Sequence, residues 1–109
     1  MDENIKIADT FSPIRRGLLE LAVLRIVAHG EVYAADILKL LAGTELSTQE
    51  GTLYPLLSRM RREGWLDYAW QESEQGPPRK YYRLAPPGRE RLAQAQKYWH
   101  TIIKNISNL

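Results

Sequence analysis

Hydrophobic residues recur every three or four positions in several stretches of the chain, and this spacing predicts helices. The first predicted helix covers residues 14–28, with Pro13 suited to its first turn and Gly30 to its end. A short extended piece at residues 31–33 leads to a second helix of about ten residues, which Gly43 ends. The third and the last predicted helices cover about residues 48–63 and 88–107.

The third helix is predicted to begin at a capping box, because Ser47 is followed three residues later by Glu50. Pro55 would lie inside this helix, so the helix is expected either to bend there or to start properly only near Thr52. Its predicted buried side is apolar and comprises Leu53, Leu56 or Leu57, and Met60.

After Gly64 the hydrophobic period changes from about 3.6 residues to about 2, which predicts β-strands. Apolar and polar side chains alternate over residues 66–71 and again over residues 80–84. A polar segment containing Gly76, Pro77 and Pro78 separates the two runs, so we predict a hairpin that turns there. The expected fold class is mainly α with a small β-hairpin, in the order of a winged helix-turn-helix domain followed by a C-terminal helix.

The length of 109 residues fits one domain. We expect residues 14–86 to form the winged helix-turn-helix domain and residues 87–109 to form a C-terminal dimerisation helix. Residues 1–13 would be an N-terminal segment, either flexible or a short helix over the dimer. In the last helix the apolar positions are spaced alternately three and four residues apart, as in the seam of a coiled coil. These positions are Leu92, Ala95, Trp99, Ile102, Ile106 and Leu109.

Charge is divided unevenly along the chain. Residues 1–50 contain 5 basic and 8 acidic side chains, whereas residues 51–109 contain 10 basic and 5 acidic ones. Most basic residues of the second half form two clusters, Arg59, Arg61 and Arg62, then Arg79, Lys80, Arg83, Arg89 and Arg91. Such clusters attract polyanions, although a solvated surface with scattered arginines is the alternative. Acidic residues nearby would weaken the field, namely Glu63, Asp67, Glu72 and Glu74.

Several kinds of chemistry find no support in the sequence. The chain has no cysteine, and its two histidines, His29 and His100, have no partner at metal-ligand spacing. No glycine-rich phosphate loop, nucleophile elbow or paired carboxylates occur, so we expect no cofactor, no metal and no enzymatic activity. No run of 18 apolar residues occurs, and we therefore expect a cytoplasmic protein that does not bind membranes.

Two segments carry a specific resemblance to a known family. The run GTLYPLL at residues 51–57, followed by RMRREGWL at residues 59–66, strongly resembles the recognition-helix signature of PadR-family transcriptional regulators. The run GPPRKYYRL at residues 76–84 looks similar to the hairpin signature of that family, and RGLLEL at residues 16–21 to its first helix. This chain departs from the family where Ala34, Ala35 and Asp36 replace the usual glycine, tyrosine and glutamate, and where Ala85 replaces a threonine.

The resemblance implies a homodimeric bacterial transcription factor, usually a repressor, of the short type whose C-terminal helix supplies the dimer contact. The third helix, about residues 48–63, would enter the major groove of DNA, and the hairpin, about residues 66–84, would lie on the DNA backbone. Side chains expected to contact DNA are polar or cationic and face outward: Thr52, Tyr54, Ser58, Arg59, Arg61, Arg62, Arg79, Lys80 and Tyr81.

Trp99 allows two interpretations. It is either a large side chain packed in the dimer seam or, as in some short members of the family, half of a symmetric pair that stacks a flat aromatic effector. The expected dimer contacts are Leu92, Ala95, Trp99, Ile102 and Ile106. An alternative function is a winged-helix protein-interaction module with little sequence-specific DNA binding, because the net charge is only +2 and the first half is acidic.

Overall fold

A computed structural model gives the structure of residues 11–74 and 76–109. Its elements are α1 (Ser12–Ala28), α2 (Ala34–Leu41), α3 (Glu50–Arg62), β1 (Leu66–Ser73), β2 (Gly76–Leu84) and α4 (Pro86–Ser107). The predicted fold class, mainly α with a small β-hairpin, is confirmed. The expectation of a flexible segment or a short helix covered residues 1–13, of which residues 1–10 lie outside the described residues and Ser12 and Pro13 belong to α1.

The core forms where α1, α2 and α3 pack their apolar sides against one another and against the inner side of the hairpin. The largest fully buried side chains come from the three helices: Val23, Leu24, Val27, Ile37, Leu53, Leu57 and Met60. Tyr82 and Leu84 of β2 are also buried. Burying each aliphatic side chain contributes about 1.5–3 kcal/mol, so this cluster holds the three helices and the hairpin together. Leu57 rather than Leu56 faces the core, since Leu56 is only half-buried.

The predicted capping box of the third helix is wrong. The helix begins at Glu50 with Gln49 as its N-cap, and no side chain caps it. Residues 44–47 instead form a turn of their own, in which the Thr44 hydroxyl donates to the Leu41 carbonyl and accepts from the Leu46 N–H, 2.7 and 3.1 Å away. Because this turn occupies Ser47, whose N–H donates to the Thr44 carbonyl, the chain enters the helix later. Pro55 lies inside a continuous helix.

The turn of the hairpin lies at Glu74, before the predicted Gly76, Pro77 and Pro78, which belong to β2. The strands pair antiparallel, with Leu66 opposite Leu84 and Gln71 opposite Arg79. The register is irregular between that last pair and the pairing of Ser73 with Gly76, so the prolines lie where the ladder is interrupted. A two-stranded sheet has only edge strands, and these accept prolines because part of their backbone needs no ladder partner.

The other boundaries shift by a few residues. The first helix begins at Ser12, and the second has 8 residues rather than about ten. Asp36 closes the start of α2 by accepting a hydrogen bond from the Tyr33 N–H at 3.3 Å. The predicted extended piece is confirmed, since Val32 forms a single antiparallel bridge with Tyr82.

The last helix is fixed to the rest of the domain at its first turn. It begins at Pro86, with Ala85 as an N-cap that makes no side-chain hydrogen bond. The Ala85 N–H donates to the Trp65 carbonyl at 3.0 Å. A Cβ atom on Gly88 would overlap that carbonyl oxygen, so only glycine fits this close approach. The direction of α4 therefore depends on the segment between α3 and β1.

Candidate nucleic-acid interface

The third helix has a buried apolar side and an exposed polar side. Leu53, Leu57 and Met60 are fully buried, and they fix the rotation of α3 about its axis. With 100° between successive residues, this rotation leaves other positions to solvent. The exposed set includes Thr52, Tyr54, Ser58, Arg59, Arg61 and Arg62, all predicted as DNA contacts. The helical spacing of apolar residues in the sequence therefore predicted correctly which side of α3 is exposed.

Arg59 differs from the other predicted arginines because it forms an ion pair. Its guanidinium donates to a carboxylate oxygen of Glu20 in α1 at 2.8 Å, and Arg91 of α4 donates to the other oxygen at 3.2 Å. Both guanidinium groups also lie over the ring of Trp65, 5.9 and 4.6 Å from its centroid. We call Glu20, Arg59, Trp65 and Arg91 the carboxylate cluster. It joins α1, α3 and α4, and it partly neutralises Arg59.

Arg61 and Arg62 have no such partner. In the described part of the chain no carboxylate lies within ion-pair distance of either side chain. The Arg61 guanidinium lies 4.5 Å from the centroid of the Tyr68 ring on β1. A cation held over an aromatic face keeps its charge, so this contact places Arg61 without an ion pair. Asp67 on β1 lies near enough for a weak attraction to Arg61, which helps to lower the pKa of Asp67.

Two of the predicted hairpin contacts, Arg79 and Lys80, line the same cleft as Tyr54 and Ser58 of α3, and the third, Tyr81, packs beside the start of α2. The Arg79 guanidinium is 4.9 Å from the ring centroid of Tyr33, and the Tyr81 ring meets Tyr33 edge-on at 5.0 Å. The Lys80 ammonium lies 4.6 Å from the ring of Tyr68 and 5.3 Å from that of Trp70. We call Arg61, Tyr68, Trp70, Arg79 and Lys80 the hairpin cluster. Its cations rest on rings rather than on carboxylates.

One acidic residue of the hairpin, Asp67, forms an ion pair with a hairpin arginine. The Arg83 guanidinium lies 3.4 Å from a carboxylate oxygen of Asp67, on a well-exposed part of the hairpin. A hydrogen bond from the Tyr68 backbone N–H, followed by the contact with Arg83, lowers the pKa of Asp67 below its usual range. Arg83 is therefore less available to an outside anion than Arg79 or Lys80.

The apolar row predicted in the last helix is largely uncovered. Of the 22 residues of α4, only Gly88 is buried, and Leu92, Ala95, Trp99 and Ile102 are half-buried. Leu92 packs against the core of its own chain, so the uncovered part of the row begins after it. Ile106 is 63% exposed, and two apolar residues of α4 outside the row, Tyr98 and Ile103, are more than half exposed as well. A helix that carries so many open apolar side chains normally meets a partner.

The described residues also bear on two other kinds of site. Within residues 11–74 and 76–109, no group of three or more histidine, aspartate or glutamate side chains could hold a metal ion. The helices among these residues are too short or too polar to cross a membrane.

The sequence missed the carboxylate cluster and the rings beneath the cations. Glu20 and Arg59 are 39 positions apart and Glu20 and Arg91 are 71 apart, so no local pattern could pair them. The aromatic residues of the hairpin cluster were visible in the strand pattern, but their position beneath the cations depends on the register of β1 and β2.

Three packed helices, a third helix with an exposed polar side and a hairpin that carries cations define a winged helix-turn-helix domain. The DNA-binding members of this class place the helix after the turn in the major groove. The chain belongs to the PadR-like family of transcriptional regulators, whose family model matches residues 23–94. Members of this family are DNA-binding regulators.

Individual relatives agree with this assignment. A PadR-like transcription factor from Bacteroides fragilis is 37% identical and superposes with a TM-score of 0.79 over 92% of this chain and 97% of its own. A PadR-family regulator from Eggerthella lenta is 27% identical, with a TM-score of 0.85 over 97% of this chain and 93% of its own. The transcriptional regulator Rv3488 of Mycobacterium tuberculosis is 28% identical over 84% of this chain and 85% of its own length.

Proposed function

We propose that this protein is a homodimeric repressor of bacterial transcription that acts in the cytoplasm. Helix α3 enters the major groove of its operator, and the hairpin lies against the DNA backbone. The observation that carries the proposal is the exposed side of α3, where Arg61 and Arg62 lie beside Tyr54 and Ser58 and form no ion pair with a described carboxylate. Arg79 and Lys80 extend this positive surface onto the hairpin.

The contacts within this surface differ in kind. Arg61, Arg62, Arg79 and Lys80 neutralise phosphates or reach guanine, while Thr52, Tyr54, Ser58 and Tyr81 donate hydrogen bonds to phosphates or base edges. Arg59 is on the same helix, but Glu20 shares its charge, so its contribution to DNA binding is the smallest among the arginines of α3.

The proposed dimer is supported by the uncovered row of α4. Two copies that pack this row together bury Leu92, Ala95, Trp99, Ile102 and Ile106, most of which are open or half-open in one chain. Such a pair is two-fold symmetric and holds two α3 helices at a fixed separation. Its operator is then a palindrome with half-sites about one helical turn apart.

Trp99 has a further role in this proposal. It is half-buried in one chain and belongs to the apolar row, so the two copies face each other across the seam. A pair of indole rings at this place stacks a flat aromatic effector between them. Tryptophan fluorescence of the wild type and of Trp99→Ala across a panel of flat aromatics tests this role. A panel that changes neither protein's fluorescence contradicts it.

The function is tested by fluorescence anisotropy with the protein's own upstream DNA and with a scrambled duplex, at several salt concentrations. Light scattering gives the number of protomers, and transcription from the same promoter in vitro should fall as protein is added. If a dimer neutralises about seven phosphates, the slope of log K against log salt is about −6. The double variant Arg61→Ala, Arg62→Ala should abolish specific binding.

A matched control removes the same charge elsewhere. Arg25 and Lys39 are exposed residues of α1 and α2 that belong to neither cluster, and Arg25→Ala with Lys39→Ala should keep specific binding. Equal weak binding of both duplexes by the wild type would overturn the proposal in favour of the protein-interaction module.

A further inference from the structure

Helix α4 is attached to its own chain over its first half and extends away from it over the second. Gly88 lies against the Trp65 carbonyl in the first turn, and Leu92 packs against the core. Over residues 97–109 all but two of the side chains are exposed. In the proposed dimer this second half contacts the other copy, so the angle at which α4 leaves the domain decides how far apart the two α3 helices lie.

One ion pair holds α4 at its angle beyond that first contact. Arg91 donates to a carboxylate oxygen of Glu20 at 3.2 Å, and its guanidinium lies 4.6 Å from the centroid of the Trp65 ring. Among residues 11–74 and 76–109, it is the one ion pair that α4 makes. The other oxygen of Glu20 accepts from Arg59 of α3 at 2.8 Å. A single carboxylate therefore connects the helix proposed to form the dimer with the helix proposed to read DNA.

The two bonds of Glu20 differ in what else joins the same elements. Helices α1 and α3 share a core of fully buried side chains that includes Leu24 and Leu57, so their relative position does not depend on the bond to Arg59. Helix α4 buries only Gly88. Its direction therefore depends far more on the bond between Glu20 and Arg91.

The length of α4 converts a small change of angle into a large displacement. Residues 91 to 106 span about 22 Å at about 1.5 Å per residue, so a tilt of about 10° at Arg91 moves Ile106 by about 4 Å. Successive base pairs lie about 3.4 Å apart along DNA. A tilt of this size is therefore equivalent to moving one half-site by about one base pair.

We infer that Glu20 is a positioning residue that sets which spacing of operator half-sites the dimer accepts. With its bond to Arg91 in place, the two α3 helices are held at one separation and fit one spacing. Without that bond the angle of α4 varies, and neighbouring spacings are bound as well. Glu20 acts through Arg91 and α4, without touching DNA. The inference rests on the proposed function, because it requires a dimer through α4 and an α3 that reads DNA.

The first experiment measures binding to palindromic duplexes whose half-sites, taken from the protein's own upstream DNA, are moved together or apart by one or two base pairs. The quantity compared is the ratio of the Kd for a neighbouring spacing to the Kd for the best one, from fluorescence anisotropy. The wild type should prefer one spacing by at least about tenfold, as expected of a dimer with fixed half-site geometry. Glu20→Gln should lower this preference at least about threefold, and Arg91→Ala should lower it by a similar factor, since each breaks the same partly buried ion pair.

The two variants change the charge in opposite directions, which separates geometry from electrostatics. Glu20→Gln removes a negative charge and Arg91→Ala a positive one, so the absolute affinities should move oppositely while the spacing preference falls in both. Asp67→Asn and Lys97→Ala are the matched controls. Asp67 pairs with a hairpin arginine, and Lys97 is an exposed residue of α4 without an ion pair in the described part of the chain.

Both controls should keep the wild-type preference. A preference that is unchanged in Glu20→Gln and Arg91→Ala, or that falls as far in the controls, would overturn the inference. Circular dichroism and light scattering check that every variant folds and dimerises.

A second experiment measures the same geometry without DNA. The chain has no cysteine, so Glu63→Cys at the exposed end of α3 gives one spin label per protomer and one distance between the two copies. Double electron–electron resonance should give a narrow distribution when no other residue is changed. Glu20→Gln and Arg91→Ala should shift or widen it by at least about 3 Å, roughly one base-pair step, and Asp67→Asn should not. Unchanged distributions would refute the inference and leave the proposed function standing.

The same measurements distinguish failure of the inference from failure of the proposed function. A distance that changes in Glu20→Gln, in a protein that binds the operator series and scrambled DNA equally, would refute the proposed function and leave the control of dimer geometry by Glu20 standing. A wild type that light scattering shows to be monomeric at the concentrations used for anisotropy would refute both.

Discussion

The carboxylate cluster and the hairpin cluster use the same contact, a cation over an aromatic ring, on two sides of α3. In the first, Arg59 and Arg91 lie over Trp65, and both donate to Glu20. In the second, Arg61 and Lys80 lie over Tyr68, and no described carboxylate lies within ion-pair distance of them. The Glu20 side chain is only 17% exposed, so water screens its attraction to the two arginines less than it would on an open surface.

The two clusters show that arginine can either hold helices together or present charge to an outside partner, depending on whether a carboxylate lies beside it. Where a carboxylate is present, the cations fasten helices to one another and add little to the outside potential. Where only rings are present, the side chains are held in place and the positive charge still faces solvent. The count of basic residues in a sequence therefore overstates the surface available to a polyanion.

The largest expected effect concerns the close contact between Gly88 in the first turn of α4 and the Trp65 backbone, beside the carboxylate cluster. Gly88→Ala would bring a methyl group onto the Trp65 carbonyl oxygen and force α4 away from the ring that Arg59 and Arg91 cover. We expect the free energy of unfolding to fall by about 2–3 kcal/mol, as in overpacked sites. Urea denaturation at fixed protomer concentration measures it.

Gly17→Ala is the control for that change. Gly17 lies inside α1, and a Cβ there would meet nothing within 4 Å. Alanine is the better helix former by about 0.5–1 kcal/mol, so this variant should be slightly more stable than the wild type. A Gly88→Ala protein of unchanged stability would contradict the close approach of α4 to Trp65.

The second prediction compares two arginines of α3 directly. Arg61→Ala should weaken operator binding about tenfold and reduce the magnitude of the salt slope by about 1 per protomer, because an unneutralised cation is lost. Arg59→Ala should weaken it by less than about threefold, because Glu20 already shares that charge. Anisotropy at several salt concentrations measures both. Equal losses would show that the carboxylate cluster does not remove Arg59 from the binding surface.

The fold was predictable because its signals are local. The three- and four-residue spacing of Leu53, Leu57 and Met60 gave the buried side of α3, and the alternation around Tyr82 gave the hairpin. The ends of elements failed where a distant or competing contact decided them. Ser47 is engaged by the Thr44 turn, and its carbonyl accepts from Arg15, which lies 32 residues away in sequence.

In the candidate site, too, local features could be predicted from the sequence and contacts between distant residues could not. Exposure of Tyr54, Ser58 and Arg61 follows from the helical period, so the sequence predicted it. The neutralisation of Arg59 follows from tertiary packing of α1 against α3, and the cleft lined by Lys80 follows from the position of the hairpin relative to α2. Neither could be derived from neighbouring residues.

The third prediction measures the ion pair at the centre of the carboxylate cluster. A double-mutant cycle with Glu20→Gln and Arg59→Ala should give a coupling of about 0.5–1 kcal/mol, since Glu20 is mostly buried but Arg59 is 45% exposed and screened by water. The matched pair is Asp67 with Arg83, whose side chains are 55% and 51% exposed at 3.4 Å. The coupling between Asp67 and Arg83 should be smaller than that between Glu20 and Arg59. A larger coupling for Asp67 with Arg83 would contradict the view that the carboxylate cluster holds the stronger ion pair.

The smallest effect belongs to Asp67 on the hairpin. The Tyr68 backbone N–H and then Arg83 lower the pKa of Asp67 in the folded protein relative to its ordinary value of 3.8. A lowered folded pKa means that the ionised carboxylate stabilises the fold above its unfolded pKa, and that this contribution is lost as pH falls through the folded pKa. Asp67→Asn should therefore be slightly less stable than the wild type near neutral pH, and the two stabilities should converge as the pH falls below 3.8 and through the lowered pKa of Asp67 in the folded protein. Urea midpoints across this range measure the difference. A gap that stays constant down to acid would mean that the contact acts through shape rather than charge, because the neutral amide keeps the size of the carboxyl but not its attraction for the Tyr68 N–H and Arg83.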